Sequence, residues 1–220
     1  MNIAMKRITL ATLTAVSLAG ALSACVPLIM GGAVVGGSLV VTDRRTSGAQ
    51  LEDQGIELRA VNRIQDNLGD RGHVNVTSYN RQVLLTGEVS TEQDKQLVAQ
   101  VVSKVENVRA IVNELGVMGN STLTQRSSDS LVSAKVKASL VDAKDLYANA
   151  FKVVTERGTT YLMGRVTQRE ADRAAEITRS VSGVQRVVRI FEIISEDDLQ
   201  RLLPQPGTPP AAASKPANGG

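Results

Sequence analysis

The strongest constraint on this chain is a stretch that occurs twice. Residues 83–93 read Val-Leu-Leu-Thr-Gly-Glu-Val-Ser-Thr-Glu-Gln, and residues 160–170 read Thr-Tyr-Leu-Met-Gly-Arg-Val-Thr-Gln-Arg-Glu. At a shift of 77 positions Leu85 meets Leu162, Gly87 meets Gly164, Val89 meets Val166 and Ser90 meets Thr167. Apolar residues alternate with polar ones around a glycine, which is the pattern of a half-buried strand. A helix start follows in each copy, Ser90-x-x-Gln93 and Thr167-x-x-Glu170. That spacing lets the cap hydroxyl accept from the N3 amide while the N3 side chain reaches back. A recurring unit of this kind means two small domains of one design.

The flanking pattern gives both units the order helix, strand, strand, helix, strand. In the first, an apolar helical stripe Leu58, Val61, Ile64, Leu68 ends at Gly69 and Gly72. Strands are predicted at His73–Tyr79 and Gln82–Val89 across an Asn80-Arg81 turn, then a helix Glu92–Val105 and a strand 108–117. In the second, the helix is predicted from about Asp129 to Ala143, capped by Ser128. Strands 150–156 and 159–167 follow across Arg157-Gly158, then a helix 169–181 and a strand 184–194. Gly87 and Gly164, inside strands, signal a bulge or a close backbone approach. Domains are expected at 51–119 and 128–195, with a polar bridge between them. A tail, 196–220, is Pro, Ala and Gly rich in its last part and is expected to be disordered.

Units of about 70 residues have marginal cores. Aromatic content is 2% and Trp is absent, so these cores must come from Val, Ile, Leu and Ala. Net charge is only +3, unevenly spread. Residues 51–119 hold 7 basic and 10 acidic side chains, and residues 128–195 hold 11 and 8. The asymmetry suggests different partners for the two copies and is too weak for nucleic acid. One cysteine excludes an internal disulfide, and one histidine excludes a multi-His metal site. His73 is read as a neutral surface histidine. No nucleophile, acid–base pair or metal set argues for catalysis, so no enzyme activity is expected. No cofactor is expected either.

The N-terminus reads as an export signal. Lys6 and Arg7 precede an apolar run, Ile8 to Leu22, over a predicted leader of residues 1–24. It ends Leu22-Ser23-Ala24-Cys25, which resembles the bacterial lipobox. The resemblance implies that Cys25 becomes the first mature residue and carries acyl chains. Val26 after it, rather than Asp, implies the outer membrane of a Gram-negative envelope. Acyl chains anchor at about 0.8 kcal/mol per buried methylene. Residues 26–41 are apolar and glycine-rich, with Gly32 and Gly36 in GxxxG spacing. They read as a tether near the lipid or as a packing segment. Thr42–Gly48 reads as a polar linker, part of a region 25–50.

Strand, glycine, Val, capping box, helix, Val-x-x-Val and strand together resemble the BON-domain family. The most telling part is Val153-Val154-Thr155-Glu156 through Tyr161-Leu162-Met163-Gly164-Arg165-Val166-Thr167-Gln168-Arg169-Glu170-Ala171, then Val181-Ser182-Gly183-Val184. The resemblance implies an α+β fold of two tandem αββαβ domains, each with helices on a small three-stranded sheet. It also implies phospholipid binding and a role in envelope integrity, with the second domain meeting anionic lipid. A protein-interaction role is within the family's range too, as an adaptor for outer-membrane assembly or for regulators of cell-wall hydrolases.

The first helix of the second copy offers a site. Val132, Val136, Leu140 and Ala143 share one face, read as the core side. Leu131, Ala134, Ala138 and Val141 lie opposite, with Lys137 beside them and Lys135 and Lys144 close by. A domain helix normally turns polar groups outward. So apolar an outer face, bordered by lysine, suits an interfacial helix on an anionic membrane. Asp129, Asp142 and Asp145 offset some of that charge. The competing expectation is that this face packs on the first copy. Arg186 and Arg189, three apart on a strand, point to opposite faces and form no joint clamp.

Overall fold

The computed structural model describes residues 43–202. The leader, Cys25, the apolar segment 26–41 and the Pro-rich end of the tail lie outside the described residues. The first domain runs α1 (Ser47–Leu68), β1 (Gly72–Tyr79), β2 (Gln82–Val89), α2 (Glu92–Ser103), β3 (Ala110–Asn113) and β4 (Gly116–Val117). The second runs α3 (Leu123–Asp142), a short 3-10 turn (Ala148–Ala150), β5 (Phe151–Glu156), β6 (Thr159–Val166), α4 (Gln168–Ser180) and β7 (Arg186–Ile193). A last helix, α5 (Glu196–Leu202), buries Leu199. The acidic stretch expected to begin the tail is therefore helical.

Each sheet is a hairpin plus one parallel strand. β1 and β5 pair antiparallel with β2 and β6, and those central strands take β3 with β4, or β7, in parallel. The strand expected at 108–117 is split because Leu115 turns inward to the core, 2% exposed, its N–H donating to Asn113 Oδ1 at 3.2 Å.

Both hairpin turns carry two residues at positive φ, Asn80 and Arg81 in one and Arg157 and Gly158 in the other. This conformation matches the twist of the flanking strands. Each turn is held by an aspartate from the first helix. Asp53 accepts from the N–H groups of Asn80 and Arg81, both at 2.7 Å. Asp129 accepts from those of Arg157 at 2.9 Å and Gly158 at 3.0 Å.

The register of α1 differs from the expected stripe. Asp53, Ile56, Ala60, Ile64 and Leu68 face inward, whereas Leu58 and Val61 are exposed. The true stripe runs at one i, i+3 step and then i, i+4 steps through a small alanine, and its first member is the polar residue that secures the turn. The helix also starts earlier, at a Thr46 cap. In α2 the cap is Thr91, accepting from Asp94 N–H at 3.1 Å, one residue beyond the expected Ser90. The Thr167–Glu170 capping box of α4 forms as expected.

Glycine at position 87 is required. Its φ is +108°, and a Cβ there would lie 2.0 Å from the His73 carbonyl oxygen. At Gly164 a Cβ would meet the Ala150 carbonyl oxygen at 2.4 Å. Both are close backbone approaches. Gly87→Ala is expected to destabilise the fold by roughly 2–3 kcal/mol in urea unfolding.

Three cores result. Ile56, Val83, Leu85, Val98 and Val102 centre one, and Val136, Leu140, Leu162, Val166 and Ala174 another. The third joins the domains. Tyr79 and Leu84 of the first sheet meet Tyr161, Met163 and Ile190 of the second. The free faces of the two sheets thus pack on one another, and β2 and β6 are buried on both sides. The polar rim of this seam is charge-complementary. Lys152 pairs with Glu57 at 2.7 Å, Arg157 with Glu88, and Arg186 with Glu114 at 3.5 Å. The acidic–basic asymmetry of the copies, expected to mark separate partners, is in part spent between them.

Candidate membrane-contact site

Helix α3 is capped by Thr122, whose hydroxyl accepts from Gln125 N–H at 3.2 Å. It therefore starts six residues before Asp129, and the expected polar bridge is largely helix. The sequence carries the signal, since Thr122-x-x-Gln125 is itself a capping pattern.

The inner face buries Asp129, Val132, Val136 and Leu140. On the outer face Leu131 is 64% and Val141 68% exposed. Ala134, Lys135, Lys137, Ala138 and Lys144 are exposed as well. The earlier start adds Leu123, 79% exposed and in line with Val141. At 1.5 Å per residue the strip from Leu123 to Val141 is about 27 Å long. The competing expectation, that this face packs on the first domain, is overturned because the domains meet through their sheets.

The charges around the strip are less balanced than sequence suggests. Asp129 is turned inward on the hairpin, and Asp145 pairs with Arg173 at 3.1 Å. Lys135, Lys137 and Lys144 join no ion pair among the described residues. Lys135 and Lys137 fall on opposite borders of the strip. An apolar strip edged by ammonium groups can lay its side chains at the acyl boundary and its charges among phosphates. Among the described residues no helix is long and apolar enough to cross a membrane.

Other charged groups are committed to structure. Arg186 turns to Glu114 at the seam, and Arg189 turns to Asp172 at 2.7 Å on the helix side. Their opposite orientation is as expected. His73 is half-buried rather than a surface residue, with Nδ1 3.8 Å from Glu88. Burial, with Arg126 nearby, holds its pKa below the usual value, so it is neutral at pH 7. His73, Glu88 and Glu156 bring possible ligand atoms within 4.8 Å of one another. Glu88 is already taken by Arg157 and by Ser121, and Arg126 lines the same hollow. The cluster is thus a structural charge network.

Sequence reasoning missed a second feature. Thr42–Gly48 is more than a linker. Arg44 is buried, its guanidinium donating to both carboxylate oxygens of Glu170 at 2.7 Å. Burial pushes the Glu170 pKa up, but Arg44 and the Thr167 N–H outweigh it and hold the group below the usual carboxylate range.

The comparisons agree with this architecture. Residues 53–119 and 128–194 each match the BON domain. The chain belongs to the BON-domain family. It is 34% identical to the outer membrane lipoprotein DolP of Haemophilus influenzae, over 79% of this chain and 90% of that one. It is 32% identical to a 21 kDa hemolysin of Actinobacillus pleuropneumoniae, over 69% of this chain and 79% of that one. A structural protein of the Chlamydia trachomatis type III secretion system, CdsD, overlays at a TM-score of 0.27 and 14% identity. That overlay covers 67% of this chain and 99% of that one. The protein is a DolP-like outer-membrane lipoprotein of the cell envelope, and its family and relatives point away from catalysis.

Proposed function

We propose that the second BON domain binds anionic phospholipid through the outward face of α3 and so supports envelope integrity, with acyl chains on Cys25 holding the protein at the outer membrane. One observation carries this reading. The outer strip of α3 stays exposed, with three lysines free of ion pairs among the described residues, while the sheet faces and the seam charges are used between the domains.

The test uses residues 42–202, without the anchor, and phosphatidylglycerol vesicles. Leu131→Glu combined with Val141→Glu removes apolar contact and adds like charge. Co-sedimentation is expected to fall at least about tenfold, or about 1.4 kcal/mol. Unchanged binding would refute the reading.

A second reading, an adaptor for envelope proteins, has its own observation. Leu51 is 71% and Leu58 64% exposed, one above the other on the outer face of α1. Recovery of the same envelope proteins by wild type and by a Leu51→Glu, Leu58→Glu variant would count against it.

A further inference from the structure

The segment Asp43–Arg45 reaches into both domains. Arg44 seats on Glu170 and also donates to the Arg165 carbonyl oxygen at 2.9 Å. Arg45 turns the other way, donating to Asp53 at 2.7 Å, with its guanidinium 4.2 Å from the centre of the Tyr79 ring. Asp43 accepts from Arg45 at 2.7 Å. Two adjacent arginines therefore form a strap, one end in each domain.

The strap lies where the apolar segment, ending at Val41, gives way to the folded body. Asp43 shares a surface hollow with Lys137 and Asn149. Arg44 lies 5.9 Å from the centre of the Tyr147 ring. Tyr147 is 47% exposed. The chain has three tyrosines, two phenylalanines and no tryptophan, and Tyr147 alone among them is exposed. A ring with a polar tip settles at headgroup level. The strap thus brings the tethered end of the chain to the C-terminal end of α3. The two Cα steps from Val41 to Asp43 span at most about 7 Å, against about 27 Å along the strip.

We infer that the Asp43–Arg45 strap moors the body on the lipid surface by one end of α3, so that Lys137, Val141, Lys144 and Tyr147 meet the phospholipid while Leu123 is held away from it. This rests on the lipid-binding reading of α3 and specifies its pose. The strap residues are positioning residues: they touch no lipid and decide which part of the helix does.

The absence of tryptophan makes a direct test possible. Tyr147→Trp and Leu123→Trp, made separately in the full lipidated chain, each give a sole indole. Both are reconstituted in phosphatidylglycerol–phosphatidylethanolamine vesicles containing lipids with brominated acyl chains. Y147W is expected to lose most of its emission and L123W to keep most of it. Two further changes should level the two positions. One is Arg44→Gln with Glu170→Gln, checked for folding by thermal melt. The other is an insertion of about ten Gly and Ser residues after Thr42, which lengthens the leash and leaves the strap and body untouched. Quenching at Leu123 equal to or above that at Tyr147 overturns the mooring and leaves lipid contact by α3 standing. Absence of quenching at both positions overturns the two together. A Tyr147–Leu123 difference that survives the insertion also overturns the mooring.

Discussion

Replacing Glu170 with alanine is expected to cost the folded body about 3 kcal/mol at pH 7, toward the lower end for breaking a buried ion pair. The pair is 2% and 1% exposed on its two sides, and Glu170 also closes the capping box of α4 through the Thr167 N–H at 3.0 Å. Arg44 cannot shed its charge to escape burial. It must leave its seat, and that pulls on Arg45 and its bond to Asp53. Urea unfolding should read the loss, and thermal unfolding should show a fall in midpoint temperature on the order of 10 °C. Amide exchange over residues 43–50 should rise in parallel. The sign of the pH dependence follows from the depressed Glu170 pKa. Its stabilising contribution is fully present above the pKa of an unfolded glutamate and is lost as pH falls through the lower folded value. Wild type and variant should therefore converge in acid and differ most near neutrality. A constant gap from pH 7 to pH 3 would remove the electrostatic account. Glu170→Gln, which keeps a hydrogen-bonding side chain at N3, should cost less than alanine.

The repeat made most of the fold legible, because its signals are local. Alternation around Gly87 and Gly164, two-residue turns and a Thr-x-x-Glu cap each state a backbone conformation within a few residues. The register of α1 was hidden because hydrophobic periodicity counts apolar side chains. The inward face includes Asp53 and the small Ala60, while Leu58 and Val61 point to solvent. The paired turn-holding aspartates, Asp53 and Asp129, recur 76 residues apart and could have been found as a repeat of polar positions. The start of α3 was misplaced because Ser127, Ser128 and Ser130 resemble a loop in composition. Thr122 and Gln125 carry the opposing signal. The strap was not legible at all. Arg44 finds Glu170 across 126 positions, and nothing near Arg44 in sequence distinguishes it from a solvated linker charge. The outer strip of α3 was visible because it breaks the rule for a domain helix. What sequence left open was whether another domain covers it, and the sheet-to-sheet seam answers that.

The seam itself supplies the second large effect: Arg157→Ala is expected to destabilise the protein by about 3–5 kcal/mol at pH 7. Glu88 sits at the edge of the seam on β2, fully buried, so it cannot swing into water as Arg44 can. Burial raises its pKa, but the Arg157 guanidinium and Ser121, whose N–H donates at 3.1 Å, hold it below the usual range. Without Arg157 the carboxylate keeps Ser121 and loses its countercharge. Glu156 and Asp129 stand on the facing edge. The Glu156 pKa is already raised, first by burial, with Asn75 opposing and both Glu88 and Asp129 reinforcing. Arg126 is the cation remaining at this hollow, and His73, 3.8 Å from Glu88, is held neutral by burial at pH 7. The variant should therefore push Glu88 above its unfolded value, which reverses its linkage. The penalty is full above the new folded pKa and vanishes below the unfolded one, so the variant regains stability as pH falls from 7 toward 4. Adding Glu88→Gln to Arg157→Ala should recover a large part of the loss at pH 7, since no buried charge is then left unpaired. A double-mutant cycle at pH 7 and pH 4.5 measures both points. Additive single effects, or an Arg157→Ala penalty that does not shrink in acid, would mean that the domains are held by the Tyr79–Tyr161–Met163 core alone and that the complementary charges only line its rim.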